Sequence, residues 1–224
     1  MRVRFSGEDS QTSLITSVIT ESVEETKMSE SEETSVDKDF GSSHCYVPYQ
    51  CILIDPPWPI TMTGKRKRVK GGQPDKLPYP TMTLEEMLRL PVKALGADDC
   101  HLWLWTTNQF LEDGFVLMRA WGFKYLSAIH VIKPSGVGNY FVQRSQTLLF
   151  GYKTKCKFPL ERYKPNIIEV SDPKRHSEKW DETYDYIESV SPGPRVELFA
   201  RRPRPGWDVW GNEVESDIDL QVGT

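Results

Sequence analysis

A short apolar run at residues 51–54 ends abruptly at Asp55-Pro56-Pro57-Trp58, and this junction constrains the fold more than any other feature. Four consecutive apolar residues are typical of a short strand that is buried on both faces. Two prolines cannot continue such a strand, because proline lacks the backbone N–H that a sheet requires. The sequence therefore predicts a buried strand that stops at a rigid, acidic turn.

Downstream of this turn, strand-like and helix-like patterns alternate. Thr83 and Glu86 form a capping box at a helix start, and Ser177 is predicted to cap a later helix that Pro192-Gly193 ends. Trp103 and Trp105 lie in an apolar strand and are expected in the core. Helices are predicted at 83–90, 110–121 and from 177 onward, strands at 101–105, 123–132, 147–152, 167–170 and 195–200, and loops at 133–145 and 203–212. This alternation predicts an α/β fold with a mainly parallel sheet.

Charge and composition divide the chain into three parts. Residues 1–45 hold ten acidic and four basic residues, are rich in Ser, Thr and Glu, and are predicted to be a disordered tail. A folded domain is expected from 46 to 213, followed by a loose acidic end at 214–224. Residues 46–210 carry 24 basic and 18 acidic residues, a mild excess that suits a polyanionic partner.

Composition excludes several classes of protein. The sequence contains no run of about 18 apolar residues, so no membrane span is predicted. Residues 1–10 lack the apolar region of a signal peptide. Cys45, Cys51, Cys100 and Cys156 form no Cys-x-x-Cys pair, so we expect no metal site, no disulfide framework and an intracellular protein with reduced thiols.

The turn at Asp55 suits chemistry on an aromatic amine. The lone pair of an exocyclic amine is delocalised into its ring, so the amine needs acceptors that bind its hydrogens and polarise it. A carboxylate and the proline carbonyls are such acceptors, and Trp58 offers a face for a base that has left its stack. The alternative is a structural one, a strand that ends in a proline-rich turn with a packed Trp.

These four residues resemble the catalytic motif of the MT-A-type N6-adenine methyltransferases, and the resemblance extends over about residues 50–213. Further segments agree with the family pattern: Leu77-Pro78-Tyr79-Pro80-Thr81-Met82, Leu102-Trp103-Leu104-Trp105-Thr106, His176-Ser177-Glu178-Lys179, Ser191-Pro192-Gly193, Trp207 and Trp210-Gly211-Asn212-Glu213. The resemblance implies methyl transfer from S-adenosylmethionine to adenine N6. It also implies a permuted Rossmann-like fold with helices on both faces of the sheet, in which the catalytic strand precedes the cofactor-binding strand.

The resemblance also implies cofactor-binding residues. Lys179 matches the family lysine that binds the cofactor carboxylate, with a solvated helix-end charge as the alternative. Arg201 matches a family position near the ribose and adenine. Its neighbour Arg202 is the alternative for this position, because one of two adjacent arginines can simply face solvent. Glu197 is expected to pair with Lys179. The full set implied for the cofactor is Asp55, Tyr79, Lys179, Glu197, Arg201, Asn212 and Glu213, with Asp55, Pro56, Pro57 and Trp58 as the catalytic group.

Basic loops provide candidate contacts to nucleic acid. Mobile cations bind phosphates without reading sequence. The candidates are Lys65, Arg66, Lys67, Arg68 and Lys70 directly after the catalytic turn, and Lys133, Tyr140 and Arg144 in a second loop. For the first group, a solvated charge run or a nuclear-import signal is the alternative.

Three functions remain at this stage. The first is an active N6-adenine methyltransferase on RNA or DNA, in the nucleus of a eukaryote or the cytoplasm of a bacterium or phage. The second is a non-catalytic nucleic-acid-binding subunit, since the family often works as heterodimers with a related partner. The third is an amino-methyltransferase with a small-molecule or protein substrate, against which the basic loop argues mildly.

Overall fold

A computed structural model describes residues 48–60, 80–137, 140–159, 163–171 and 179–220. The chain divides into two units after Cys45, and all described residues belong to the second unit. The residues predicted to form the acidic N-terminal tail therefore lie outside the described part, as does Ser177.

Seven strands and four helices make up the described fold. The strands are β1 (Tyr49–Ile54), β2 (Gly96–Thr106), β3 (Lys124–Val137), β4 (Gln143–Tyr152), β5 (Ile167–Glu169), β6 (Arg195–Leu198) and β7 (Asp208–Trp210). The helices are α1 (Leu84–Leu88), α2 (Val92–Leu95), α3 (Leu111–Ala120) and α4 (Asp181–Val190), and a 3-10 turn spans Asn108–Phe110. The capping box of Thr83 and Glu86 is confirmed at the start of α1.

The strands form one sheet in the order β5-β3-β4-β2-β1-β6-β7. Strand β1 is parallel to both of its neighbours, and its last residue, Ile54, pairs with Leu104 of β2 and Leu198 of β6. The pairs β3–β5 and β6–β7 are also parallel, whereas β4 is antiparallel to β2 and β3. The predicted α/β fold with a mainly parallel, Rossmann-like sheet is confirmed.

Alternating side chains of the central strands build two cores, one on each face of the sheet. Ile52 and Ile54 face the core that includes Met87 of α1 and Leu117 of α3. Leu53 faces the opposite side of the sheet, where the second core packs against α4. Trp103 and Trp105 lie in this second core at 1% and 2% exposure, which confirms their predicted burial. Helices therefore cover both faces, and β1 is buried on both sides as its unbroken apolar run predicted.

The structure corrects three local predictions, two of them because strand pairing overrides a turn signal. Much of the predicted loop 133–145 is strand, since Val137 still pairs with Gln143 in the hairpin of β3 and β4. Strand β7 lies within the predicted loop 203–212, where Val209 pairs with Glu197 on β6. Helix α4 begins only at Asp181, with Trp180 as its N-cap instead of Ser177.

The acidic C-terminal segment is also different from its prediction. Ile218 and Leu220 are each only 7% exposed and belong to the same core as Ile52. The backbone N–H of Asp217 donates to the carbonyl of Val209 at 2.9 Å. The expectation of a loose end from 214 is therefore wrong up to residue 220, because two apolar side chains among the acids anchor it.

Candidate active site

An ion pair lies where β1 ends. Asp55 follows the last residue of β1, and its Oδ2 is 3.0 Å from Nζ of Lys179, which lies just before α4. The two side chains are 22% and 14% exposed, so water screens the pair only partly. The ammonium of Lys179 also lies 4.3 Å from the ring centroid of Trp105, a cation–π contact that fixes its position.

This ion pair forms one wall of a narrow cleft at the carboxyl edge of the sheet, where ligands bind in open α/β folds. The cleft encloses about 20 Å³ of free space. It is lined by Asp55, Lys179, Tyr184, Glu197, Phe199, Arg201 and Arg202. Four residues predicted to bind a cofactor are thus brought together: Asp55, Lys179, Glu197 and Arg201.

Glu197 has a different partner from the one predicted. It is 4% exposed on β6, and both carboxylate oxygens accept from the Tyr184 hydroxyl, at 2.9 and 3.0 Å. Lys179 forms its ion pair with Asp55 instead. The pKa of Glu197 is raised to about 7: burial is the largest cause and Asp55 adds to it, whereas the Tyr184 hydrogen bond and the charges of Lys179 and Arg202 act in the opposite direction.

Sequence reasoning missed two residues of this cleft, Tyr184 and Phe199, and left Arg202 open. Tyr184 lies on the buried face of α4, and nothing in its sequence spacing marks its hydroxyl as part of a polar lining. Phe199 has a φ of 63°, a left-handed conformation that is uncommon outside glycine and clusters at functional sites. No sequence signal marks a strained Phe.

The C-terminal loop reaches the cleft through a close backbone contact. A Cβ on Gly211 would lie 2.3 Å from the carbonyl oxygen of Ala200, so only glycine fits between these strands. The contact brings Glu213 to Arg201, with Oε1 and Nη1 3.4 Å apart. Asn212 and Glu213 are both exposed, and Glu213 lies beside the cleft through its contact with Arg201.

The proline carbonyls of the turn are not free, contrary to the prediction. The Pro56 carbonyl accepts from the Trp58 N–H at 2.8 Å, and the Pro57 carbonyl accepts from Met82 at 3.0 Å. Each carbonyl oxygen retains a second lone pair. These bonds hold the turn rigid, and further acceptance by the prolines depends on that second lone pair.

Trp58 is also corrected. Its side chain is 4% exposed, stacks on Phe110 with centroids 5.1 Å apart, and donates through Nε1 to the Trp105 carbonyl at 3.0 Å. A buried ring cannot receive a base, so the predicted stacking role is wrong. Trp58 instead fixes the turn to β2.

The second loop predicted to bind nucleic acid is the hairpin of β3 and β4. Tyr140 at its tip is 96% exposed, and the Arg144 Nε donates to the Lys133 carbonyl at 3.1 Å. Burial, and to a smaller extent the charge of Lys179, lower the pKa of Lys133. The other predicted residues, Tyr79, Lys65, Arg66, Lys67, Arg68 and Lys70, lie outside the described residues, as does His176.

The described ranges contain neither a candidate metal centre nor a candidate membrane-spanning helix. No group of three or more His, Cys, Asp or Glu there is arranged to hold a metal ion. No helix in the same ranges is long and apolar enough to cross a bilayer.

A mostly parallel sheet whose carboxyl edge carries an acidic turn beside a charged cleft is the arrangement of a Rossmann-like methyltransferase. The MT-A70 family profile matches residues 49–213, and the chain belongs to that family.

Individual relatives agree with this assignment. The chain is 33% identical over 193 residues to a Mycoplasma protein named type II methyltransferase M.MunI, covering 79% of this chain and 82% of the relative. It is 30% identical to the human N(6)-adenosine-methyltransferase catalytic subunit METTL3, covering 75% of this chain but 28% of that protein. Mouse N(6)-adenine-specific methyltransferase METTL4 is 29% identical, with coverages of 76% and 38%.

The packing of Trp58 generates a prediction. Trp58→Phe keeps a ring against Phe110 but removes the donor to the Trp105 carbonyl. We expect it to lower the free energy of unfolding by about 1–3 kcal/mol in urea titration. Tyr140→Phe, an exposed aromatic control, is expected to change it by less than about 0.5 kcal/mol. Unchanged stability together with lost substrate affinity would restore Trp58 as a stacking surface.

Proposed function

We propose that the protein transfers a methyl group from S-adenosylmethionine to the N6 amine of adenine in RNA or DNA, with Asp55 at the reacting centre. One observation carries this proposal: the carboxylate that ends β1 is held beside a cleft of cations and carboxylates in an MT-A70 chain. The relatives named for adenine or adenosine methylation support the same reaction.

The chemistry of the cleft fits S-adenosylmethionine, which supplies an electrophilic methyl group on a sulfonium when bound. Lys179 would hold its carboxylate and Asp55 its ammonium, so each exchanges its present partner for a ligand group of the same charge. Glu197, Arg201, Asn212 and Glu213 would accept from and donate to the ribose and adenine. The cleft encloses only about 20 Å³, so it would have to widen as these partners are exchanged. Tyr79 remains a predicted contact.

Asp55 also suits the second half of the reaction. A carboxylate that accepts an N6–H increases the electron density on that nitrogen and directs its lone pair away from the turn. The second lone pair of the Pro56 or Pro57 carbonyl can accept the other N6–H. Because Trp58 holds this turn to β2, the acceptors keep their positions during attack, which is the preorganisation that favours a transition state over a ground state.

The hairpin supports a nucleic-acid substrate. The aromatic ring of Tyr140 is almost fully exposed to solvent, and bases of single-stranded nucleic acid stack on such rings. Arg144 is exposed on the same hairpin, where a cation binds phosphate. Lys65, Arg66, Lys67, Arg68 and Lys70 are proposed as further phosphate contacts. A related partner subunit, an intracellular location and a domain spanning 46–213 also stay predictions.

The preserved ion pair favours an active enzyme over a non-catalytic subunit. Asp55 and Lys179 are paired at the cleft and are not replaced or turned away from it. A subunit that only binds nucleic acid has no need for a carboxylate at this turn, and we therefore place this alternative second.

The reaction is tested by Asp55→Asn. The amide keeps the shape but loses the charged acceptor, so we expect methyl transfer to fall at least about a hundredfold. The assay is labelled methyl transfer to single-stranded RNA, single-stranded DNA and duplex DNA, followed by mass analysis of the nucleosides. The matched control is Asp99→Asn, whose carboxylate pairs with Lys157 near the start of β2. If the wild type methylates adenine in none of these polymers, the proposed substrate is wrong; if both variants keep equal activity, the role of Asp55 is wrong.

The substrate surface is tested separately by Tyr140→Ala. Loss of one stacked base is expected to weaken oligonucleotide binding by about 1–3 kcal/mol, or roughly 5- to 150-fold, as measured by fluorescence anisotropy. Affinity for S-adenosylmethionine should not change. Tyr163→Ala removes an equally exposed ring outside the hairpin and serves as the control. Equal effects of the two variants would remove the hairpin from the substrate surface.

A further inference from the structure

Tyr184 and Glu197 form a buried hydrogen-bonded pair at the wall of the cleft. Both side chains are almost fully buried, at 3% and 4% exposure. One hydroxyl serves both carboxylate oxygens, at 2.9 and 3.0 Å, and both residues line the cleft beside Asp55 and Lys179. Among the described residues this hydroxyl is the one hydrogen-bond donor to the buried carboxyl, so the protonation state of Glu197 depends on what occupies the cleft.

The Tyr184 ring is held in place by a cation–π contact and an aromatic edge contact. The Arg204 guanidinium lies 4.6 Å from its centroid, and Trp207 packs edge-on at 5.8 Å. Arg204 is fixed in turn by carboxylates of α4: Asp181, Asp185 and Glu188, at 3.0, 3.0 and 2.9 Å. This clamp gives the Tyr184 hydroxyl a fixed place, so it can determine the orientation of Glu197.

The elements around Glu197 place both negative and positive groups near its carboxyl. Asp55 at the end of β1 opposes a second negative charge, as does burial itself. Lys179 before α4, Arg202 after β6 and the Tyr184 hydroxyl on α4 favour the carboxylate, and Arg201 also lines the cleft. Burial and Asp55 outweigh the groups that favour the carboxylate, so the pKa of Glu197 is raised to about 7 and the carboxyl is partly protonated at neutral pH.

We propose that Glu197 releases a proton to solvent when S-adenosylmethionine binds, and that Tyr184 is the positioning residue that sets the pH range of this release. The inference rests on the proposed cofactor. The sulfonium and ammonium of the ligand bring positive charge into the cleft, and its ribose hydroxyls bring donors, so both favour the charged carboxylate. Only the carboxyl O–H bond breaks, and buffer takes the proton.

The direction of the pH dependence follows by linkage. Because the ligand binds the deprotonated form better, affinity is highest above pH 7 and falls as the pH decreases, by up to about tenfold per unit below pH 7. About half a proton is released per ligand at pH 7 and nearly one at pH 6. Tyr184→Phe removes a group that lowers the pKa of Glu197, so release at pH 7 should rise towards one proton.

The test is isothermal titration calorimetry of the full chain with S-adenosylmethionine at pH 6 and pH 7, in two buffers of different ionisation enthalpy. The dependence of the heat on the buffer gives the number of protons released. Glu197→Gln keeps the size of the side chain but has no such proton, and subtracting its value removes the contribution of the ligand amine, which titrates near pH 8. Tyr186→Phe is the matched control, because its hydroxyl on the same helix donates to the Pro165 carbonyl away from the cleft.

We expect wild type and Tyr186→Phe to release about half a proton more than Glu197→Gln at pH 7, and Tyr184→Phe to release still more. Equal release by wild type and Glu197→Gln would overturn the inference, while binding itself would leave the proposed cofactor intact. Affinity that Tyr184→Phe lowers equally at both pH values would show a purely structural Tyr184. Absence of binding at either pH would overturn the cofactor and this inference together.

Discussion

The ion pair of Asp55 and Lys179 is the interaction on which the rest of the site depends. It joins the turn after the first strand to Lys179, 124 positions later and just before the last helix, and it forms one wall of the cleft. Its partial burial makes the pair stronger than a surface ion pair and costly to leave unpaired. A ligand that carries both an ammonium and a carboxylate can replace each partner of the pair. The pair therefore favours a zwitterionic ligand over one with a single charge.

Apolar packing beneath the pair makes this arrangement possible. The Trp105 ring lies under the Lys179 ammonium, and its backbone carbonyl holds Trp58, so one residue supports both the cation and the turn. Trp105 lies on β2, and β1 pairs with β2 on one side and with β6 on the other. This pairing brings Asp55 and Glu197 to one edge of the sheet. The hydrophobic core therefore positions the site, because buried residues such as Trp58 and Trp105 determine where the charged side chains lie.

The sequence predicts the large elements well because their signals are local. The apolar run before Asp55, the capping box at Thr83 and the alternation of strands with helices each depend on neighbours along the chain. Partners across the fold are different: Tyr184 binds Glu197, and Trp58 turns inward because Phe110 and Trp105 receive it. The burial of Ile218 and Leu220 could not be anticipated either, since acidic neighbours mask two anchors that only the folded core reveals.

The most direct measurement is a crystal structure of the protein with S-adenosylhomocysteine, the demethylated form of the proposed cofactor. We predict that Lys179 leaves Asp55 to bind the ligand carboxylate, with the sulfur directed towards the Asp55 turn and Glu197 in contact with the ligand. The chain has a larger cleft of about 590 Å³, lined by Trp103, Phe150 and Tyr186, which offers aromatic rings but lacks the paired charges. Ligand bound there, with the Asp55–Lys179 pair intact, would contradict the account.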